Sequence, residues 1–241
     1  MSAKSLYSAK DILFSYGVGQ PAVLSVPFLD IGEGECIMLV GPNGSGKTTF
    51  LKMLNDLLPT GADAGAFSGG LMFRGDQVFK DSARFHPRSV RTDTVYMHQH
   101  PYILAGSVAH NLNFACRAKG LSPQETARAS SEALELVGLE GYSTRKQKGL
   151  SGGEAQRLAL ARVIASGAGI LLLDEPTASA DAASRDRIID ALVNMANKGK
   201  TIIFSTHETE TMSRLGRRVL EFERGTIIRD SWRQHAQEHS S

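Results

Sequence analysis

Residues Cys36-Ile37-Met38-Leu39-Val40 run directly into Gly41-Pro42-Asn43-Gly44-Ser45-Gly46-Lys47-Thr48, and a helical pattern follows over residues 49–57. An unbroken apolar run of this length reads as a strand buried on both faces. The eight residues after it fit G-x-x-x-x-G-K-[ST]. Glycines in such a loop let successive backbone N–H groups point at one centre, which suits phosphate oxygens. The helix start behind it adds the positive end of its dipole. In that setting Lys47 is expected to bridge the β- and γ-phosphates of a nucleotide, and Thr48 to ligate Mg²⁺. A glycine-rich turn with a solvated lysine would account for the loop alone. It would not account for the strand before it and the helix after it.

Outward from that stretch, strand-like and helix-like segments alternate, which predicts an α/β fold with a mostly parallel core sheet. Candidate strands are residues 12–16, Cys36–Val40, Thr94–Met97, Ile170–Leu173, Thr201–Ser205 and residues 218–222. After Asp181, the residues Ile189, Leu192, Val193 and Ala196 recur at helical spacing and define one face. Ser122, Pro123 and Glu125 spell a capped helix start with a capping box. Residues 100–149 hold no convincing strand, so an inserted helical subdomain at about residues 100–160 is expected within a single domain over 1–241. The polar tail after Trp232 is expected to fray.

Ile170-Leu171-Leu172-Leu173 ends in Asp174-Glu175. Carboxylates at the carboxyl end of a buried strand lie where α/β folds bind ligands. Asp174 suits a carboxylate that holds Mg²⁺ through water, and Glu175 suits a general base for an attacking water. A capping pair at a strand exit is the bland alternative, weakened by the phosphate loop upstream.

Composition narrows the class. The chain has 241 residues, 41% hydrophobic and 22% charged, enough for one sizeable soluble core. Lys plus Arg is 27 against 25 for Asp plus Glu, a net charge of +2, which argues against a nucleic-acid partner. Cys36 and Cys116 form no metal-ligand pair, and Cys36 reads as a small core side chain in a reducing compartment. The N-terminus lacks the apolar core of a signal peptide. No apolar run approaches the roughly 20 residues that span a bilayer, so any membrane role is expected to come through a partner.

Leu150-Ser151-Gly152-Gly153-Glu154-Ala155-Gln156-Arg157 precedes the acidic strand. Ser151 with the Gly152 and Gly153 amides opens a helix and offers a second anion site. Here the sequence resembles the ATP-binding cassette (ABC) family, whose signature is LSGGQ or LSGGE. The resemblance covers nearly the whole chain in the family's order. It implies a P-loop NTPase cassette with an antiparallel β part beside the parallel core, binding ATP and Mg²⁺. It also implies that Thr49 joins the phosphate loop, that Tyr16 stacks on adenine, and that Gln99 senses Mg²⁺ and faces a membrane partner. Ser179-Ala180-Asp181 resembles the D-loop, in place of the commoner Ser-Ala-Leu-Asp, with Asp181 the residue carried over. His207 resembles the histidine that contacts the γ-phosphate. His98, His100 and His110 match no motif and read as surface or packing residues.

The resemblance further implies a head-to-tail homodimer in which Ser151, Gly152 and Gly153 serve the partner's nucleotide. It implies a motor on the cytoplasmic face of the membrane, driving a separate integral membrane permease. The stretch Gln99-His100-Pro101-Tyr102-Ile103-Leu104-Ala105-Gly106-Ser107-Val108 with Asn111-Leu112, together with residues 150–162, looks like oxyanion importers. Tungstate is the first expectation for the solute, molybdate and phosphate the next, with a solute-binding protein as an indirect partner. An exporter motor and a soluble non-transport ATPase remain alternatives.

Overall fold

The computed structural model of the protein describes residues 5–17, 19–59, 65–80, 83–178, 180–207, 214–215 and 218–232. Strands β1 (Ser5–Ser15) and β2 (Leu24–Gly32) lead to β3 (Cys36–Val40) and helix α1 (Lys47–Leu54). Then come β4 (Ala66–Phe73), β5 (Asp76–Lys80), β6 (Ala83–Arg84), α2 (Arg88–Asp93) and β7 (Thr94–Met97). Helices α3 (Val108–Ala118), α4 (Pro123–Leu136) and α5 (Gly152–Ala165) follow, with a 3-10 turn at Gln147–Gly149. The described part ends with β8 (Ile170–Leu173), α6 (Ala182–Asn197), β9 (Thr201–Ser205), β10 (Arg218–Glu223) and β11 (Thr226–Asp230).

These strands form one 11-stranded sheet in the order β6-β5-β4-β1-β2-β11-β10-β3-β9-β8-β7. From β10 to β7 every neighbouring pair is parallel. From β6 to β2 every pair is antiparallel. The parallel half matches the expectation; the antiparallel half is as extensive, so "mostly parallel" describes the core strands alone. Five strands went unforeseen: β2, β4, β5, β6 and β11. The first candidate strand, residues 12–16, is the end of the longer β1, and Tyr16 lies just beyond it.

The continuous apolar runs behave as their composition demands. In β3, Ile37 and Leu39 enter one core while Cys36 and Met38 enter the other. In β8, Ile170 and Leu172 side with the first core and Leu171 and Leu173 with the second. The pleat puts successive side chains on opposite faces, so each strand is covered twice. The first core is closed by Phe50, Leu51, Met53 and Leu54 of α1. The second is closed by residues of α3, α4, α5 and α6. Cys36 and Cys116 are free and buried.

Helix boundaries follow local chemistry. The Ser122 side chain accepts from the Glu125 backbone while Glu125 reaches back to Ser122, the capping box read from sequence. Asp181 caps α6 by accepting from the Ser184 N–H at 2.7 Å. Helix α1 starts at Lys47, two residues before its apolar pattern, and ends at Leu54; Asp56 then takes a left-handed φ of 54°. Between residues 100 and 149 the described structure holds no named strand, only a bridge of Ser107 with Lys146. Ser179 and the tail after Trp232 lie outside the described residues.

Candidate functional site

Parallel pairing brings the carboxyl ends of β3, β9, β8 and β7 to one rim of the sheet. The loop after β3 is shaped by close backbone approach. Gly41 has φ 138°, and a Cβ there would sit 2.1 Å from the Phe222 carbonyl oxygen. Gly46 has φ 104°, and a Cβ there would meet the Val23 carbonyl oxygen and the Gly225 Cα at 3.2 Å. Only glycine suits such positions. The Gly225 N–H also donates to the Ser45 carbonyl at 2.9 Å, so the turn between β10 and β11 braces the loop from behind.

Two polar features point into this loop. The Ser45 hydroxyl is buried and has no hydrogen-bond partner among the described residues, a costly state unless a ligand oxygen meets it. Lys47 Nζ donates to the Gly41 carbonyl at 2.7 Å and to the Pro42 carbonyl at 2.9 Å, leaving its third hydrogen for an anion. Burial pushes the Lys47 ammonium below the usual lysine range, opposed by the charges of Glu175 and Asp174. A cleft of about 330 Å³ opens here, lined by Val23, Asn43, Gly44, Ser45, Gly46, Lys47, Thr48, Thr49, Gln99 and Glu175.

The acidic end of β8 meets the start of α1. Asp174 is 5% exposed, yet both of its oxygens are bonded. Thr48 Oγ1 donates to Oδ2 at 2.8 Å, and the Tyr96 hydroxyl donates to the same oxygen at 3.1 Å. Ser205 Oγ donates to Oδ1 at 2.8 Å. Burial, with the Asp174 charge adding to it, pushes the Tyr96 phenol far above its ordinary range, so it stays a donor. Neither Tyr96 nor Ser205 carries a sequence signal of its own.

Glu175 has a left-handed φ of 46°. Its carboxylate accepts from Gln99 Nε2 at 2.8 Å and lies 2.8 Å from His207 Nε2. Gln99, expected at the metal, is therefore bonded to the candidate base rather than to Thr48 or Asp174. Among the described residues no group of three or more His, Cys, Asp or Glu could hold a metal. Mg²⁺ does not need one, because it binds through one or two carboxylates plus substrate phosphates. Thr48 and Asp174, already in contact beside an unpartnered loop hydroxyl, fit that requirement.

The remaining expected residues sit apart or at the margin. Tyr16 is 39% exposed; its hydroxyl is 3.1 Å from Thr49 Oγ1, and its ring stands edge-on to Phe14. Ser151 and Gly152 are exposed at the start of α5, with a capping box between Ser151 and Glu154. Gly153 is buried, and a Cβ there would lie 2.7 Å from Ser184 Oγ, so glycine at this position lets α5 approach α6. None of Ser151, Gly152, Gly153 or Asp181 lines the phosphate cleft. His98, His100 and His110 are exposed.

Comparison with known proteins gives this geometry relatives. The family described as "ABC transporter" matches residues 25–178. The energy-coupling factor transporter ATP-binding protein EcfA2 of Methanospirillum hungatei is 36% identical over 92% of this chain and 54% of its own length. The cobalt import ATP-binding protein CbiO of Syntrophus aciditrophicus is 32% identical over 93% of this chain and 78% of its own. The chain thus spans only about half of the first relative. Among solved structures, a dimeric ATP-binding cassette in a post-hydrolysis state with ADP and phosphate is 25% identical, with TM-score 0.78 over 94% of this chain and 98% of that one. CbiO1 of Clostridium perfringens, part of the transporter complex CbiONQ, shares the fold at 24% identity and TM-score 0.80, over 98% of this chain and 92% of that one.

Proposed function

Because the chain belongs to the ABC transporter family of ATP-binding cassettes, we propose that it hydrolyses ATP to drive a separate membrane permease for cobalt-type import. The observation that carries this reading is the junction of loop and strand end. Thr48 of the phosphate loop is bonded to Asp174, and Glu175 next to it is held by Gln99 and His207 at the mouth of the same cleft.

The chemistry follows from those contacts. The Ser45 hydroxyl, the loop N–H groups and Lys47 receive the phosphates. Thr48 and Asp174 would hold Mg²⁺, which supplies a positive charge against the phosphate oxygens. Glu175 accepts a proton from a water as its oxygen attacks the γ-phosphorus. The bond from phosphorus to the bridging oxygen breaks, and ADP and phosphate leave. Gln99 and His207 aim the Glu175 carboxylate throughout.

Two copies of the chain close over two nucleotides, each lending Ser151, Gly152 and Gly153 to the other's site. The absence of these residues from the phosphate cleft and the dimeric relative support that arrangement. A groove of about 290 Å³, lined by Tyr96, Tyr102, Phe114, Lys119 and Arg162 among others, lies beside Gln99. Tyr102 there is 76% exposed, which supports docking of the permease next to a residue that touches the base. Among the described residues no helix is long and apolar enough to cross a membrane. In the proposed arrangement the permease is another chain, and this one lies against its cytoplasmic face.

The loop after Gln99 suggested an oxyanion such as tungstate, but the relatives reported above are named for energy-coupling factor and cobalt transport. A solute-binding protein belongs to the oxyanion reading only. The deciding measurement is metal accumulation in cells with and without this chain. Loss of cobalt accumulation with tungstate unchanged supports cobalt-type import. Loss of tungstate alone overturns that solute, and no change in either overturns cobalt-type import.

A further inference from the structure

Ser205 closes β9, two residues before His207, and is fully buried. Its strand lies between β3, which feeds the phosphate loop, and β8, which ends at the acidic pair. Register places Ser205 opposite Leu39 and Phe204 opposite Leu173. Alternation puts Phe204 in the second core and so turns Ser205 to the α1 face, where Asp174 also points.

The hydroxyl has one hydrogen, and it goes to Asp174 Oδ1 at 2.8 Å. Its lone pairs face the other way, and one accepts the Glu175 backbone N–H at 2.8 Å. One buried oxygen therefore fixes two consecutive residues that perform different tasks. On Asp174 it holds the carboxylate so that Oδ2 is left to Thr48 and Tyr96. On Glu175 it anchors a peptide whose φ of 46° is unfavourable for a side chain with a Cβ. Gln99 and His207 hold the far end of that side chain, while Ser205 holds its root.

We propose that Ser205 is a positioning residue for hydrolysis, tying the orientation of the metal-binding carboxylate to that of the general base. The inference rests on the ATPase reading above. It separates two consequences that a packing role would not. Loss of the hydroxyl should slow the chemical step and raise the Mg²⁺ requirement. It should leave nucleotide binding intact, because Ser205 does not line the phosphate cleft.

The test is Ser205→Ala, which removes one oxygen from a buried site and introduces no clash. Steady-state hydrolysis, Mg²⁺ titration and fluorescent-nucleotide binding are measured on the full chain beside wild type. The expected result is a kcat lower by about 10–100-fold, the range typical of outer partners of metal ligands. The Mg²⁺ concentration for half-maximal rate should rise several-fold, with metal-free nucleotide affinity within about twofold. A kcat and Mg²⁺ requirement matching wild type would overturn the role of Ser205 alone. Nucleotide binding lost in proportion to rate would reduce it to a packing residue and also overturn the proposal. A wild-type chain that hydrolyses no Mg-ATP would remove the ATPase reading, and this role with it.

Discussion

Glu175 joins a left-handed backbone to a carboxylate gripped from two sides by Gln99 and His207. A backbone of this kind persists where its surroundings over-determine it. Glu175→Gln keeps the shape and can still hydrogen-bond both neighbours, yet cannot accept a proton at neutral pH. General-base catalysis contributes roughly 10²–10⁴-fold, so kcat should fall by at least about 100-fold while nucleotide affinity changes less than a few-fold. Single-turnover hydrolysis with parallel binding measurements checks this; near-wild-type turnover would assign the base to another residue. That Lys47, Thr48, Asp174 and Glu175 lie together was legible because each stands at a fixed place in a short pattern. Tyr96 and Ser205 were not. A tyrosine inside a strand and a serine at a strand end carry no pattern, and only the order β9-β8-β7 brings both hydroxyls to Asp174.

Elements were legible where one kind of burial dominates. Strands β3 and β8 are apolar throughout and covered on both faces, so composition alone marks them. The antiparallel strands mix solvent-facing and buried positions and are broken by irregularities. In β1 the pair Lys10-Asp11 interrupts the alternation, and its pairing with β4 shifts register between Lys10 and Leu13. There Asp11 has φ 51°, and Gly69 of β4 has φ 79° with its absent Cβ only 2.2 Å from the Asp11 carbonyl oxygen. The glycine pair in Ala66–Phe73 carries no strand signal, because glycine is depleted in strands, and in the sheet Gly69 sits at a bulge. Gly69→Ala should therefore destabilise the protein by at least about 2 kcal/mol, since it adds a clash to an unfavourable φ. Gly70→Ala, whose nearest neighbour would be Gln77 Nε2 at 3.5 Å, should cost far less. Urea unfolding of the two variants separates them, and equal stability would mean that the bulge relaxes freely.

At the scale of the molecule, two helix starts carry the glycine-rich pattern expected of an anion site, but only one of them lines the phosphate cleft. The N-terminus of α1 lies in it, while Ser151 and Gly152 stand exposed at the head of α5. A two-fold pairing of identical chains would set each exposed start over the other's cleft, because an isologous interface repeats every contact twice. Ser151→Arg then damages the site of the neighbour rather than its own. Alone, this variant should lose hydrolysis by at least about 10-fold, while its monomer binds nucleotide within about threefold of wild type, since its own charge-assisted phosphate contacts are untouched. Lys47→Ala does the opposite. It removes the ammonium from its own loop and should weaken nucleotide binding by about 10-fold or more, the loss expected for a hydrogen bond to a charged group. In a mixed dimer both lesions fall in one composite site, and the other pairs an intact loop with an intact signature. Random pairing of equal amounts makes about half the dimers mixed, each with one good site, so the mixture should recover about a quarter of wild-type activity. Hydrolysis measured across mixing ratios should peak between the two pure variants. A straight line joining the two inactive parents would mean that each chain completes its own site.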